Sequence, residues 1–126
     1  MAELEEQRLR DEEIRRINLL YGSEEDIDHA LKKALRSIDT SIANTQANII
    51  QLRGQRQSLE DRAARIERAG NTITPKLVQN IETLDEQIKT LELEVANRNE
   101  EKEAERQRHA SDRDLFLEVH SVSANL

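Results

Sequence analysis

From Leu31 onward the apolar residues recur at alternating steps of four and three: Leu31, Leu35, Ile38, Ile42, Thr45, Ile49, Leu52, Arg56, Leu59, Ala63 and Ile66. All but Thr45, Arg56 and Ala63 are Leu or Ile, so the run reads as the a/d seam of a heptad repeat carried on one long helix. After a short interruption the same walk resumes through Leu77, Ile81, Leu84, Ile88, Leu91 and Val95. A spacing of about 3.5 residues against the helix's own 3.6 or so implies left-handed supercoiling of one helix around another. Ahead of both runs, Ile14, Ile17, Leu20 and Tyr21 fall at helical spacing in a first segment otherwise made of charges.

Two breaks divide the pattern. At Tyr21-Gly22-Ser23, glycine is placed to end a helix in the left-handed conformation. Ser23 is placed to cap the next helix, with Glu24, Glu25 and Asp26 putting negative charge in its first turn. The second break, Ala69-Gly70-Asn71-Thr72-Ile73-Thr74-Pro75, is the more specific. Gly70 suits the residue just past a helix, Thr74 an N-cap, and Pro75 the first helical position, where its missing N–H costs nothing. Arg65 and Arg68 favour the preceding helix end. The organisation expected is a charged amphipathic helix over 1–21 and a hairpin over 23–119. The hairpin comprises a helix at 23–69, a turn at 70–74 built on Gly70, Asn71, Thr74 and Pro75, and a helix at 75–119. A flexible tail is expected at 120–126.

A connection this short makes the two long helices antiparallel neighbours. Folding there pairs Ile66 with Leu77, Leu59 with Leu84, Leu52 with Leu91, and Ile49 with Val95, all apolar on both sides. The arm before the turn would be on the order of 70 Å long. The fold class expected is therefore all-α: a long antiparallel helical hairpin with an additional N-terminal helix.

Beyond Val95 the second stripe continues as Arg98, Lys102, Glu105, His109 and Asp112, while the opposite arm still offers Ile42, Ile38, Leu35 and Leu31. Burying each of those aliphatics is worth about 1.5–3 kcal/mol, so the pattern predicts that something covers them. Ile14, Ile17 and Leu20 of the first segment, a second copy of the chain, or another protein would serve. These seven residues form the expected partner interface. Further on, Leu115, Phe116, Leu117 and Val119 return to apolar character, and the hairpin register sets Phe116 near Ile27.

Composition narrows the class. The chain has 126 residues, 36% charged, with one Phe, one Tyr and no Trp. So few aromatics leave no material for a thick globular core but suffice for a thin seam between helices. The absence of cysteine excludes disulfides, thiolate metal sites and cysteine nucleophiles. A formal charge of −7, mixed along the chain, gives no basic face for nucleic acid. No apolar run reaches the roughly 18 residues that would cross a bilayer, and Met1–Arg16 has no signal-peptide core. The compartment is then the cytoplasm by default, or the periplasm if a signal has been removed.

Candidate chemistry is sparse. His29 and His109 approach one another in the hairpin register, with Asp28, Asp112 and Glu105 nearby, but no HxxxH or HExxH spacing marks a metal site. Acidic pairs such as Glu24-Glu25 and Glu100-Glu101 lack the cleft that general acid–base chemistry requires, so no enzyme activity and no cofactor are expected. Glu103 and Glu105 each precede an arginine by three, as support for a solvated helix. Thr45 and Arg56 interrupt the seam at positions that fix register, and Gly54 marks a bend, a close contact or mere tolerance.

The stretches Ile14–Gly22, Ile42–Thr45 and Glu67–Gly70 resemble bacterial coiled-coil proteins, a resemblance that carries no functional residue across. The role expected is a structural or scaffolding module acting through self-association, with a dimer favoured, or through contact with another protein. The alternatives are a chaperone-like or adaptor protein that grips a client helix, and a structural component of a phage or secretion apparatus.

Overall fold

The computed structural model describes residues 2–124, which form three helices: α1 (Ala2–Leu20), α2 (Glu24–Arg68) and α3 (Pro75–Ala124). The fold is all-α, with α2 and α3 packed together as a helical hairpin and α1 as an additional N-terminal helix.

The turn between α2 and α3 is built as its residues dictate. Gly70 has φ of 81°, the left-handed region open to glycine. Its N–H donates to Glu67 O at 2.9 Å, and the Asn71 N–H donates to Ile66 O at 3.0 Å. These two bonds are a Schellman motif, which satisfies carbonyls otherwise orphaned at a helix end. Thr74 then caps α3, its Oγ1 accepting from the Leu77 N–H at 3.3 Å.

The first break works differently from the sequence expectation. Gly22 is not left-handed, since Gly70 is the one described residue with positive φ. Instead the Gly22 N–H donates to Asp26 Oδ2 at 2.9 Å, while the Asp26 N–H donates to Ser23 Oγ at 3.3 Å. The exchange resembles a capping box shifted by one residue. Glycine is suited there by space: a Cβ would sit 3.2 Å from Asp26 Oδ2.

The far end also departs from expectation. A flexible tail was expected from residue 120, yet α3 continues to Ala124; residues 125 and 126 lie outside the described residues. No glycine or proline interrupts the segment, and His120 stacks on Phe116 with ring centroids 3.9 Å apart. Its Nδ1 lies 2.9 Å from Phe116 O, a hydrogen bond that ties one helical turn to the next.

The chain divides into two compact units, one comprising the chain up to Ser37 and from Glu101 on, the other Ile38–Glu100. In the first, Ile17, Ile27 and Phe116 form the buried cluster, with Tyr21 and Leu115 packed against it. In the second, Ile38, Ile42, Thr45, Ile49, Ala63, Leu77 and Ile88 are buried along the seam. Gly54 is exposed there, and a Cβ on it would meet nothing within 4 Å, so it marks no close helix contact.

Candidate interaction surface

In the unit Ile38–Glu100 two ion pairs mark the antiparallel register. Arg53 Nη2 lies 2.6 Å from Glu92 Oε1, and Arg56 Nε lies 2.6 Å from Asp85 Oδ1. Both occupy one flank of the seam. Arg56, read as an interruption of the seam, stands half-buried and uses its length to reach across to α3.

Two helices cannot close a seam on both flanks. Leu52, Leu59, Ile66, Ile81, Leu84, Leu91 and Val95 are only half-buried, although Ile49, Leu77 and Ile88 on the same stripes are covered. The consequence is a set of open apolar grooves. On the ion-paired flank a groove of about 370 Å³ runs between Ile49, Ile50 and Val95, with Arg53 and Glu92 at its edge. Ile50 stands 68% exposed at its lip. Elsewhere on this unit a groove of about 420 Å³ joins Leu52 to Leu91, and another of about 250 Å³ joins Leu59 and Ile66 to Leu77.

Of the expected partner interface, only part is open within a single chain. Ile38 and Ile42 are 7% and 9% exposed within a single chain, so neither is available to a partner. Arg98, the next seam position of α3, is half-buried. Leu31 and Leu35 are half-buried in the other unit, as is Ile14. Ile17 is 1% exposed, in the cluster with Ile27 and Phe116 rather than over Leu31 to Ile42. Leu20 turns to solvent, 58% exposed, because the helix ends there and its neighbour Tyr21 takes the inward position.

In the N- and C-terminal unit the stripe position Asp112 meets a partner on α1 that the sequence does not assign. Asp112 is 4% exposed, and its carboxylate accepts from Arg16 Nη2 at 2.8 Å on Oδ1 and from the Tyr21 hydroxyl at 3.5 Å on Oδ2. Arg16 also binds Glu13 through Nε at 3.0 Å, and these two carboxylates, Glu13 foremost, raise the guanidinium's already high pKa further. A second tie joins Arg10 to Glu118 at 2.5 Å. On the opposite side Arg113 reaches Glu24 and Asp28. The phase of Asp112 is plain in the sequence, but its partner is not, since the Arg16–Asp112 pair spans 96 residues of chain.

His109 is 3% exposed, and its Nδ1 lies 2.8 Å from Glu105 O. A carbonyl only accepts, so Nδ1 carries the proton. His29, by contrast, is exposed. Among the described residues no group of three His, Asp or Glu side chains is arranged to hold a metal ion, and no helix is long and apolar enough to cross a membrane. The solvated pairs Glu103–Arg106 and Glu105–Arg108 form at 3.4 and 3.2 Å.

Tyr21 gives this unit an optical handle, being the chain's one tyrosine with no tryptophan beside it. Burial raises its pKa, and the Asp112 charge raises it further. The folded state therefore favours the protonated phenol. Its contribution to stability is full below the unfolded value of about 10 and is lost as pH rises through the higher folded value. Titration by tyrosinate absorbance should show a higher midpoint in the native protein than in urea. Asp112→Asn should lower that midpoint part of the way, because burial is the larger cause. Equal native and unfolded midpoints would refute the assignment.

No family model, curated protein or solved structure matches the chain.

Proposed function

We propose that the chain is a non-enzymatic coiled-coil module that acts by holding other helices, first of all those of a second copy of itself. The supporting observation is the incomplete seam of Ile38–Glu100, where aliphatic residues at successive heptad positions are packed on one side and open on the other. Completing the burial of each would add up to about 1.5–3 kcal/mol, and contiguous apolar exposure of this kind marks protein contact sites. The grooves are open and shallow, suited to a helix laid along them rather than to an enclosed small molecule. A structural or scaffolding role in a larger assembly follows from such pairing.

A chaperone-like or adaptor role is the second reading, favoured by Ile50 and Leu93, which stand 68% and 61% exposed on this unit. Sedimentation equilibrium over a range of concentrations tests the first. A mass of twice 14.6 kDa, with helical content unchanged, is the expected result. A well-folded monomer at the highest soluble concentration would overturn self-association and leave the second reading in place.

A further inference from the structure

Resting on that self-association, we propose that the second copy docks antiparallel along one particular flank of Ile38–Glu100, the flank of Leu52, Leu59 and Leu91, about a two-fold axis level with Gln55 and Gln87. The two flanks differ in chemistry. One carries the cross-helix pairs Arg53–Glu92 and Arg56–Asp85, whose charges a docking helix would have to strip of water. On the other, Thr83, Gln87 and Thr90 border the Leu52–Leu91 groove, with Glu86 at its edge, and Asn80 borders the groove by the turn. In a chain that is 36% charged, a run of neutral side chains beside half-buried leucines has the composition of an interface centre, where charge is depleted.

Charge then selects the occupant and its direction. Arg62 and Lys76 line the groove nearest the turn. Gln55 precedes Arg62 by one heptad, and Glu94 follows Gln87 by one heptad, so both fall on this same flank. Because Arg53 pairs with Glu92 and Arg56 with Asp85, Gln55 and Gln87 lie at one level. Arg62 is therefore about 10 Å to one side of that level with Lys76 about 16 Å, and the acidic Glu94 is about 10 Å to the other. A copy related by a two-fold axis there brings its Glu94 to the level of Arg62 and within about 6 Å of the level of Lys76, and the reverse. A parallel copy would stack the basic ends on each other instead. The resulting arrangement is an isologous four-helix bundle.

The test uses the full chain, which has no cysteine of its own. Gln55→Cys should form an intermolecular disulfide on mild oxidation, whereas Gln46→Cys, on the opposite flank, should not. Glu94→Lys should weaken the dimer about tenfold or more by setting like charges together, and Glu94→Lys/Arg62→Glu/Lys76→Glu should restore it. Because Glu94 is half-exposed and Arg62 and Lys76 are exposed, helical content should hold in all variants. A dimer that ignores these reversals, or that cross-links through residue 46 and not 55, overturns this face and leaves self-association standing. A monomeric wild type overturns both.

Discussion

Truncating Phe116 to alanine is expected to destabilise its unit by about 3–5 kcal/mol, the range for removing a large aromatic from a packed site. The ring is 6% exposed and lies against Ile17 and Ile27, each 1% exposed, so the hole it leaves is walled by side chains already in place. It also supports the His120 ring on its outer face. The cluster draws one residue from each helix, so the hole opens where all three meet. Urea unfolding followed by Tyr21 fluorescence should move to clearly lower denaturant, since Tyr21 packs on the same cluster. Phe116→Leu, which keeps most of the volume, should cost a smaller part of that loss. A shift below about 1 kcal/mol for the alanine variant would mean that the cluster does not hold the three helices together.

What the sequence made legible was local chemistry and period. The turn at Gly70 could be read in detail because its residues each solve a backbone problem within one helical turn of themselves. The paired stripes were legible because a heptad repeat needs only apolar residues at the right spacing. The position of Phe116 against Ile27 followed from the same register. The course of α1 was not legible. Its one buried residue is Ile17, and its remaining ties to α3 are ion pairs across 96 and 108 residues of chain. Among 19 basic and 26 acidic residues, spacing does not choose such partners. Gly22 misled for a related reason: glycine's tolerance of positive φ suggested a helix stop, but here its value is the room it gives a carboxylate. Part of the expected partner surface, Ile38 and Ile42, is already covered within the chain, which a count of apolar residues on the opposite stripe does not register.

The same long-range pair supports the second large effect. Arg16→Met is expected to destabilise α1's attachment by about 1–3 kcal/mol, because it leaves Asp112 buried without its cation. The full cost of orphaning a buried charge is discounted here, since the Arg16 side chain is 37% exposed and water reaches its end of the pair. Asp112→Leu should cost less, as the arginine left behind keeps Glu13 and solvent. Replacing both, Arg16→Met with Asp112→Leu, should recover most of the stability, because desolvating a carboxylate is the main expense and the double variant avoids it. The double-mutant cycle, read through Tyr21 in urea, should thus give a coupling of about 1–2 kcal/mol in favour of the pair being kept or removed together. Additive single effects would mean that Arg16 and Asp112 act on stability independently. The buried carboxylate would then be satisfied by water or by Tyr21, and α1 would be held by Ile17 and the Arg10–Glu118 pair.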